Sequence, residues 1–169
     1  MISIVIPVYN EEAVIGNTIR HLRSAIANDR EVEIIVSDGG SDDNSVDEAR
    51  SAGAIVIACA RKGRAVQMNQ GAEASHGSIL YFLHADSLPP ASFAEDIRQA
   101  VEGGIPMGCY RLRFDLDHWF LKANAWFTRF DINAFRYGDQ SLFVTRAYFE
   151  KAGGFCEKHI VMEDNDIVK

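Results

Sequence analysis

Residues 2–12 read I-S-I-V-I-P-V-Y-N-E-E. The stretch from Ile2 to Val8 is apolar, rich in β-branched residues and no longer than one strand, so it reads as a buried strand. Tyr9, Asn10 and Glu11 follow at once, with Asn10 suited to cap a helix. Beyond them Val14, Ile19, Leu22 and Ile26 recur at near-helical spacing. A strand running straight into an amphipathic helix is the opening unit of an α/β sheet.

The unit repeats along the chain. Residues 33–37 carry I-I-V ahead of D-G-G-S-D-D, and Val46, Ala49 and Arg50 then suit a second helix capped from that Ser/Asp cluster. Residues 54–58 form a third β segment after Gly53, residues 64–74 a helix, and residues 78–83 another strand before H-A-D-S and Pro89-Pro90. The alternation predicts an α/β fold, a Rossmann-like and mostly parallel central sheet with helices on both faces. Residues 91–101 then read as a helix ended by Gly103-Gly104, and residues 107–114 as a strand. The segment 118–137 is dense in aromatics, among them Trp119, Phe120, Trp126 and Phe127. It suits a helix packed on the core, or an acceptor groove or membrane-surface contact.

Composition narrows the classes. With 169 residues, 47% of them hydrophobic, the chain supports one substantial core, so residues 1–169 are expected to form a single domain. No internal repeat, low-complexity tract or linker interrupts it. A formal charge of −7 without a dense basic cluster excludes broad electrostatic capture of nucleic acid. Cys59, Cys109 and Cys156 are odd in number and lack paired metal-ligand spacing, which suits reduced thiols in a cytoplasmic protein. The apolar start is short, has no basic leader and breaks at Pro7, unlike a signal peptide, and no stretch reaches the roughly 20 apolar residues of a membrane span. The chain stops in M-E-D-N-D-I-V-K, which reads as the start of a helix without a stop signal, so a further tail is expected.

Carboxylates at loop positions carry the candidate chemistry. Asp38 and Asp86 each follow an apolar strand, where open α/β sheets bind their ligands, and Glu163-Asp164 lies near the end. Tyr9, Asn10 and Glu11 could meet a base or ribose at the sheet edge, or simply start a capped helix. Asp38 could accept from a uracil-type N–H or ribose hydroxyls, or close an Asx turn beside its glycines. His84 and Asp86, two apart, would point to the same side of an extended chain. Asp86 suits a hard divalent cation better than His84, and either could instead be a turn former. Lys62-Gly63-Arg64 precedes a helix and could meet phosphates or remain a solvated loop. Asp139 and Gln140 precede an apolar strand as a turn or as part of an acceptor or sugar pocket, and Glu163-Asp164 alone would suit an acidic first helical turn.

Six segments in order make the pattern specific: I-S-I-V-I-P-V-Y-N-E-E, V-S-D-G-G-S-D-D-N-S, K-G-R-A-V-Q-M-N-Q-G-A, G-S-I-L-Y-F-L-H-A-D-S, Y-G-D-Q-S-L-F-V with G-G-F, and M-E-D-N-D-I. In these the sequence resembles the family 2 glycosyltransferases, which have the GT-A fold, over essentially its whole length. It looks most like the small soluble bacterial members that carry H-A-D where others have D-x-D. The resemblance implies inverting transfer of a sugar from a nucleoside diphosphate donor, a UDP-sugar being favoured, to a hydroxyl-bearing acceptor. Residues 1–90 would form the donor half and residues 91–169 the acceptor half.

Carried over by position, Pro7, Tyr9 and Glu11 lie in the first donor-binding loop and Asp38 reads the base or ribose. Arg64 faces the nucleotide, with Arg61 or Lys62 as substitutes. Asp86 holds Mg²⁺ or Mn²⁺ on the diphosphate, and His84 stands where the first Asp of D-x-D would be, which weakens the expected metal site. Asp164 is the catalytic base with Glu163 as neighbour and fallback, since attack by a hydroxyl needs a carboxylate to take its proton. A nucleotidyltransferase and a non-catalytic nucleotide-sugar-binding protein are the competing classes, and peripheral membrane contact and a homo-oligomer are both compatible with the reading.

Overall fold

Alternation along the first strand decides which helices cover which face. The computed structural model describes residues 1–26, 29–110 and 141–157. In chain order its elements are β1 (Ile2–Val8), α1 (Ile15–Ala25), β2 (Val32–Asp38), α2 (Ser45–Ser51), β3 (Ile55–Ala58) and α3 (Arg64–Ala74). There follow β4 (Ile79–Phe82), α4 (Phe93–Glu102), β5 (Met107–Cys109), β6 (Leu142–Thr145) and α5 (Arg146–Ala152). The strands form one six-stranded sheet in the order β3-β2-β1-β4-β6-β5. The first four are mutually parallel, and β6 runs antiparallel to both β4 and β5.

Ile2, Ile4, Ile6 and Val8 point to one face, where they pack with Ile15, Ile19 and Leu22 of α1, Ala49 of α2, and Phe93 and Ile97 of α4. Val5 points to the other, joining Leu80, Phe82 and Val144 beneath Ala65, Met68 and Ala72 of α3 and Phe149 of α5. Side chains of this size contribute about 1.5–3 kcal/mol each on full burial, so both layers are firmly attached. Ser3, on the second face, keeps its hydroxyl satisfied by donating to Glu33 Oε1 at 2.6 Å and accepting from the Gly77 N–H at 2.7 Å. Helix α3 reaches β1 and β2 through Gly71, where a Cβ would collide with Ser37 Oγ and Val5 Cγ1.

The expected α/β sheet with both faces covered is the observed one, and β1 and α3 have their expected bounds. One local expectation is corrected: Asn10 caps no helix. Helix α1 begins later, its N-cap position is Val14 without a side-chain cap, and Asn10 sits at φ 57° in the left-handed region. Helix α4 starts at Phe93 rather than at the expected residue 91, after a turn in which the Phe93 N–H donates to Pro90 O. Helix α5 has no counterpart in the sequence reading. Its first residue, Arg146, donates to the carbonyls of Gly77, Ala72 and Ser75 and to Ser75 Oγ, satisfying groups at the end of α3. The aromatic segment 118–137 and the continuation of β5 over 111–114 lie outside the described residues. Cys59, Cys109 and Cys156 form no disulfide, and among the described residues no helix is long and apolar enough to cross a membrane.

Candidate functional site

The strand order turns at β1, which has β2 on one side and β4 on the other, and open sheets bind ligands outside the carboxyl ends of strands at such a point. A cleft of about 1070 Å³ lies there. Six of the residues singled out from sequence border it together: Pro7, Tyr9, Glu11, Arg64, His84 and Asp86. Tyr110, just after β5, and Ser141, just before β6, also border it, so the segments after α4 contribute to its wall.

The loop after β1 is held by the loop after β2. Asn10 receives the Asp42 N–H on its amide oxygen and donates its own amide to Asp42 Oδ1, while the Asn10 N–H donates to Ser41 Oγ. The Glu11 N–H donates to Ser45 Oγ at 2.7 Å, the Glu12 N–H to Asp43 Oδ2, and the Asn44 N–H returns a bond to Glu12 Oε2. These reciprocal bonds compensate the left-handed backbone at Asn10, a conformation that Asn tolerates better than most residues.

Asp38 ends β2 and is only 7% exposed. Its carboxylate accepts from the Gly40 and Ser41 N–H groups at 3.1 Å, so the Asx-turn alternative is the arrangement adopted. Asp38 does not border the cleft; its neighbour Gly39 does. Burial, and secondarily the Asp38 charge, push the Cys59 thiol up to about 11, which leaves it protonated and inert at neutral pH.

Of the basic residues in the loop before α3, Lys62 and Arg64 border the cleft. The Lys62 ammonium donates to Tyr9 Oη at 2.7 Å, which raises its pKa, and it lies 4.2 Å from the centre of the Tyr9 ring. Arg64 is exposed at the first position of α3. On the inner wall of the same helix, Gln67 donates its side-chain amide to Val8 O and Ser37 O. The sequence reading did not single out Gln67; its only signal was a polar residue on the otherwise apolar inner face of α3.

His84 and Asp86 require a correction. Strand β4 ends at Phe82, and residues 84–87 form a turn closed by the Ser87 N–H on His84 O, so the two side chains do not share a face of an extended chain. The turn is anchored by the Thr18 hydroxyl, which donates to Ala85 O at 2.6 Å. His84 is half-buried and Asp86 exposed, and both still border the cleft. Burial, then the nearby charges of Asp86 and Asp43, raise the pKa of Glu11. Glu11 and Asp86 are therefore oxygen donors in one negative region, chemistry that fits a hard divalent cation. Among the described residues no group of three or more His, Cys, Asp or Glu side chains could hold a metal alone. A cation here would need oxygens from its ligand as well.

Asp139, Gln140, Glu163 and Asp164 lie outside the described residues. The segment leading toward the last two leaves α5 through Gly153 and Gly154, both at positive φ. Asn69 of α3 grips it, donating to Phe155 O and accepting from the Phe155 N–H, while Arg61 pairs with Glu157.

Solved structures share this architecture. A mannosyltransferase from Pyrobaculum calidifontis, in complex with GDP-Man and Mn²⁺, superimposes with a TM-score of 0.72 at 17% identity, over 97% of this chain and 50% of its own. Glucosyl-3-phosphoglycerate synthase from Mycobacterium tuberculosis, with Mn²⁺, UDP-Glc and phosphoglyceric acid, gives 0.65 at 19% identity over 88% of this chain and 58% of its own. At such identities the likeness shows the fold, which is GT-A. In sequence, an undecaprenyl-phosphate 4-deoxy-4-formamido-L-arabinose transferase of Aeromonas hydrophila is 30% identical over 132 residues, 73% of this chain. The glycosyltransferase AglE of Haloferax volcanii is 32% identical over 100 residues, 56% of this chain. The chain spans 40% and 33% of the lengths of these two relatives. The family model for glycosyl transferase family 2 matches residues 3–151, taking in every described element that borders the cleft, and the chain belongs to that family.

Proposed function

We propose that this chain binds a nucleoside diphosphate sugar, a UDP-sugar by preference, and transfers the sugar with inversion to a hydroxyl-bearing acceptor. The observation that carries the proposal is the convergence of Pro7, Tyr9, Glu11, Arg64, His84 and Asp86 on one cleft at the carboxyl ends of β1 and β4. The GDP-Man and UDP-Glc complexes of the two structural neighbours support a nucleotide sugar as the ligand class. Residues 1–90 serve chiefly as the donor half and residues 91–169 as the acceptor half.

In this reading the loop carrying Pro7, Tyr9 and Glu11 cradles the nucleoside, and Asp38, which lies behind Gly39 and must give up bonds of its own turn to reach the cleft, acts at the base or ribose. Arg64 offers charge-assisted hydrogen bonds to phosphate. Asp86, with Glu11 near it, would hold Mg²⁺ or Mn²⁺ jointly with the diphosphate, while His84 borders the same place. When bound, the cation supplies Lewis-acid stabilisation of the charge on the leaving diphosphate. Asp164 takes the proton from the acceptor hydroxyl as it attacks, Glu163 lies beside it, and Asp139 and Gln140 shape the sugar or acceptor pocket. Calorimetry with UDP, GDP and dTDP in Mn²⁺, followed by donor turnover, tests the reading. Saturable nucleotide binding with sugar transfer is expected. Binding without transfer to any acceptor, polyprenyl phosphates included because the bacterial relative is named for one, would leave a binding protein and overturn the enzyme.

A further inference from the structure

The loop between β4 and α4 carries Asp86, and two of its anchors come from α1. Thr18 is 2% exposed and donates its hydroxyl to Ala85 O at 2.6 Å. A threonine within a helix can return its hydroxyl to a carbonyl one turn back, whereas this one is spent on a loop 67 positions away. Three residues on, along the same face of α1, His21 Nε2 meets Pro89 O at 2.7 Å, and because a carbonyl only accepts, Nε2 carries the hydrogen. Pro89 and Pro90 have no N–H, so this part of the loop is poor in donors with which to fix itself. Asp86 lies in sequence between the two pinned carbonyls. The head of the same helix holds Glu11, whose carbonyl accepts from the Val14 and Ile15 N–H groups at 3.1 and 3.0 Å. Helix α1 thus ties down the backbone at both carboxylates.

We propose that Thr18 and His21 are positioning residues that set Asp86 against Glu11 for a divalent cation held jointly with a diphosphate. The inference rests on the nucleotide-sugar reading above, in which Asp86 holds that cation. Two carboxylates bordering one cleft repel when no cation lies between them. Asp86 is exposed on a turn, so its place depends on the backbone that carries it. Neither Thr18 nor His21 borders the cleft, and their effect passes through Ala85 O and Pro89 O to the residue between. Groups that orient metal ligands from behind are commonly worth about 10- to 100-fold in metal affinity. Acting through backbone, one step farther back, these two are expected to give less.

The test is calorimetry of UDP in Mn²⁺ and in EDTA with the wild-type protein, Asp86→Asn, Thr18→Val, Thr18→Ser and His21→Leu, each checked by thermal melting. The quantity read is the gain in UDP affinity that Mn²⁺ brings. Thr18→Val, which keeps the shape of the side chain, and His21→Leu should each reduce that gain about 3- to 10-fold with UDP affinity in EDTA unchanged. Thr18→Ser, which keeps the hydroxyl, should retain it. A lower melting temperature with the gain intact, or equal weakening in Mn²⁺ and EDTA, would make the two bonds packing ties only and overturn the proposal while nucleotide binding stands. Loss in Thr18→Ser as large as in Thr18→Val would overturn it too. If Thr18→Val does not melt cooperatively, His21→Leu decides, since His21 is only half-buried. A wild type without any Mn²⁺ gain, or an Asp86→Asn protein that keeps it, would overturn the cation reading of Asp86 and the proposal with it. Wild type binding no nucleotide at all would overturn the nucleotide-sugar reading itself.

Discussion

At Glu11 a carboxylate shares a cleft with Asp86, and burial followed by the charges of Asp86 and Asp43 raises its pKa above the ordinary 4.5. A raised folded-state pKa means that the stability associated with the protonated form is fully present below the unfolded value and lost as pH rises through the folded value. Glu11→Gln should therefore melt higher than wild type at neutral pH without cation, and the gain should vanish as pH falls below about 4.5. Melting curves of both proteins across that window check the sign. With UDP and Mn²⁺ present the advantage should reverse, since the variant has lost an anionic oxygen donor. Asp164→Asn belongs to the same scale: kcat toward a hydroxyl acceptor should fall about 10²- to 10⁴-fold with donor affinity retained. Single-turnover kinetics beside calorimetry separate the two, and full transfer by Asp164→Asn would remove the base assignment. Residues such as Tyr9 and Asp86 could be brought to the cleft from sequence because each lies within a few positions of the end of an apolar strand. Gln67 could not, because its role depends on two backbone carbonyls from strands 30 and 59 positions away.

Among the elements, α3 is the most constrained, since its approach to the sheet depends on one missing side chain. Gly71→Ala forces a Cβ onto Val5 and Ser37 and should cost about 1–3 kcal/mol, measurable as a lower urea midpoint with unchanged slope. Arg146→Met leaves carbonyls at the end of α3 without donors and should cost about 1.5–3 kcal/mol in the same assay. Strand and helix identities in the first half were legible because period-2 and period-3.6 patterns alternate there cleanly. The turn at 84–87 was legible only as an alternative to a continued extended chain, because what anchors it is the hydrogen bond from Thr18, 67 positions earlier. Helix α5 was missed for its length: seven residues give too few repeats for a period to show.

For the whole molecule, the parallel strands set the ligand position and the antiparallel β6 brings the second half of the chain into the same sheet. A nucleotide and cation bound at the strand ends would stabilise the native state by about 2.7 kcal/mol at a hundredfold excess over Kd. A thermal-shift panel of UDP-, GDP- and dTDP-sugars should thus rank the donors, with the largest shift for a UDP-sugar and little shift without Mg²⁺ or Mn²⁺. The bonds that tie residues 10–12 to residues 41–45 bear on how such a site can be altered. Because each segment completes the other's hydrogen bonding, they form one heritable module. A donor loop transplanted from a relative would keep its shape only if its partner loop were moved with it, and recombination between the two would yield chimaeras with frayed entrances to the cleft.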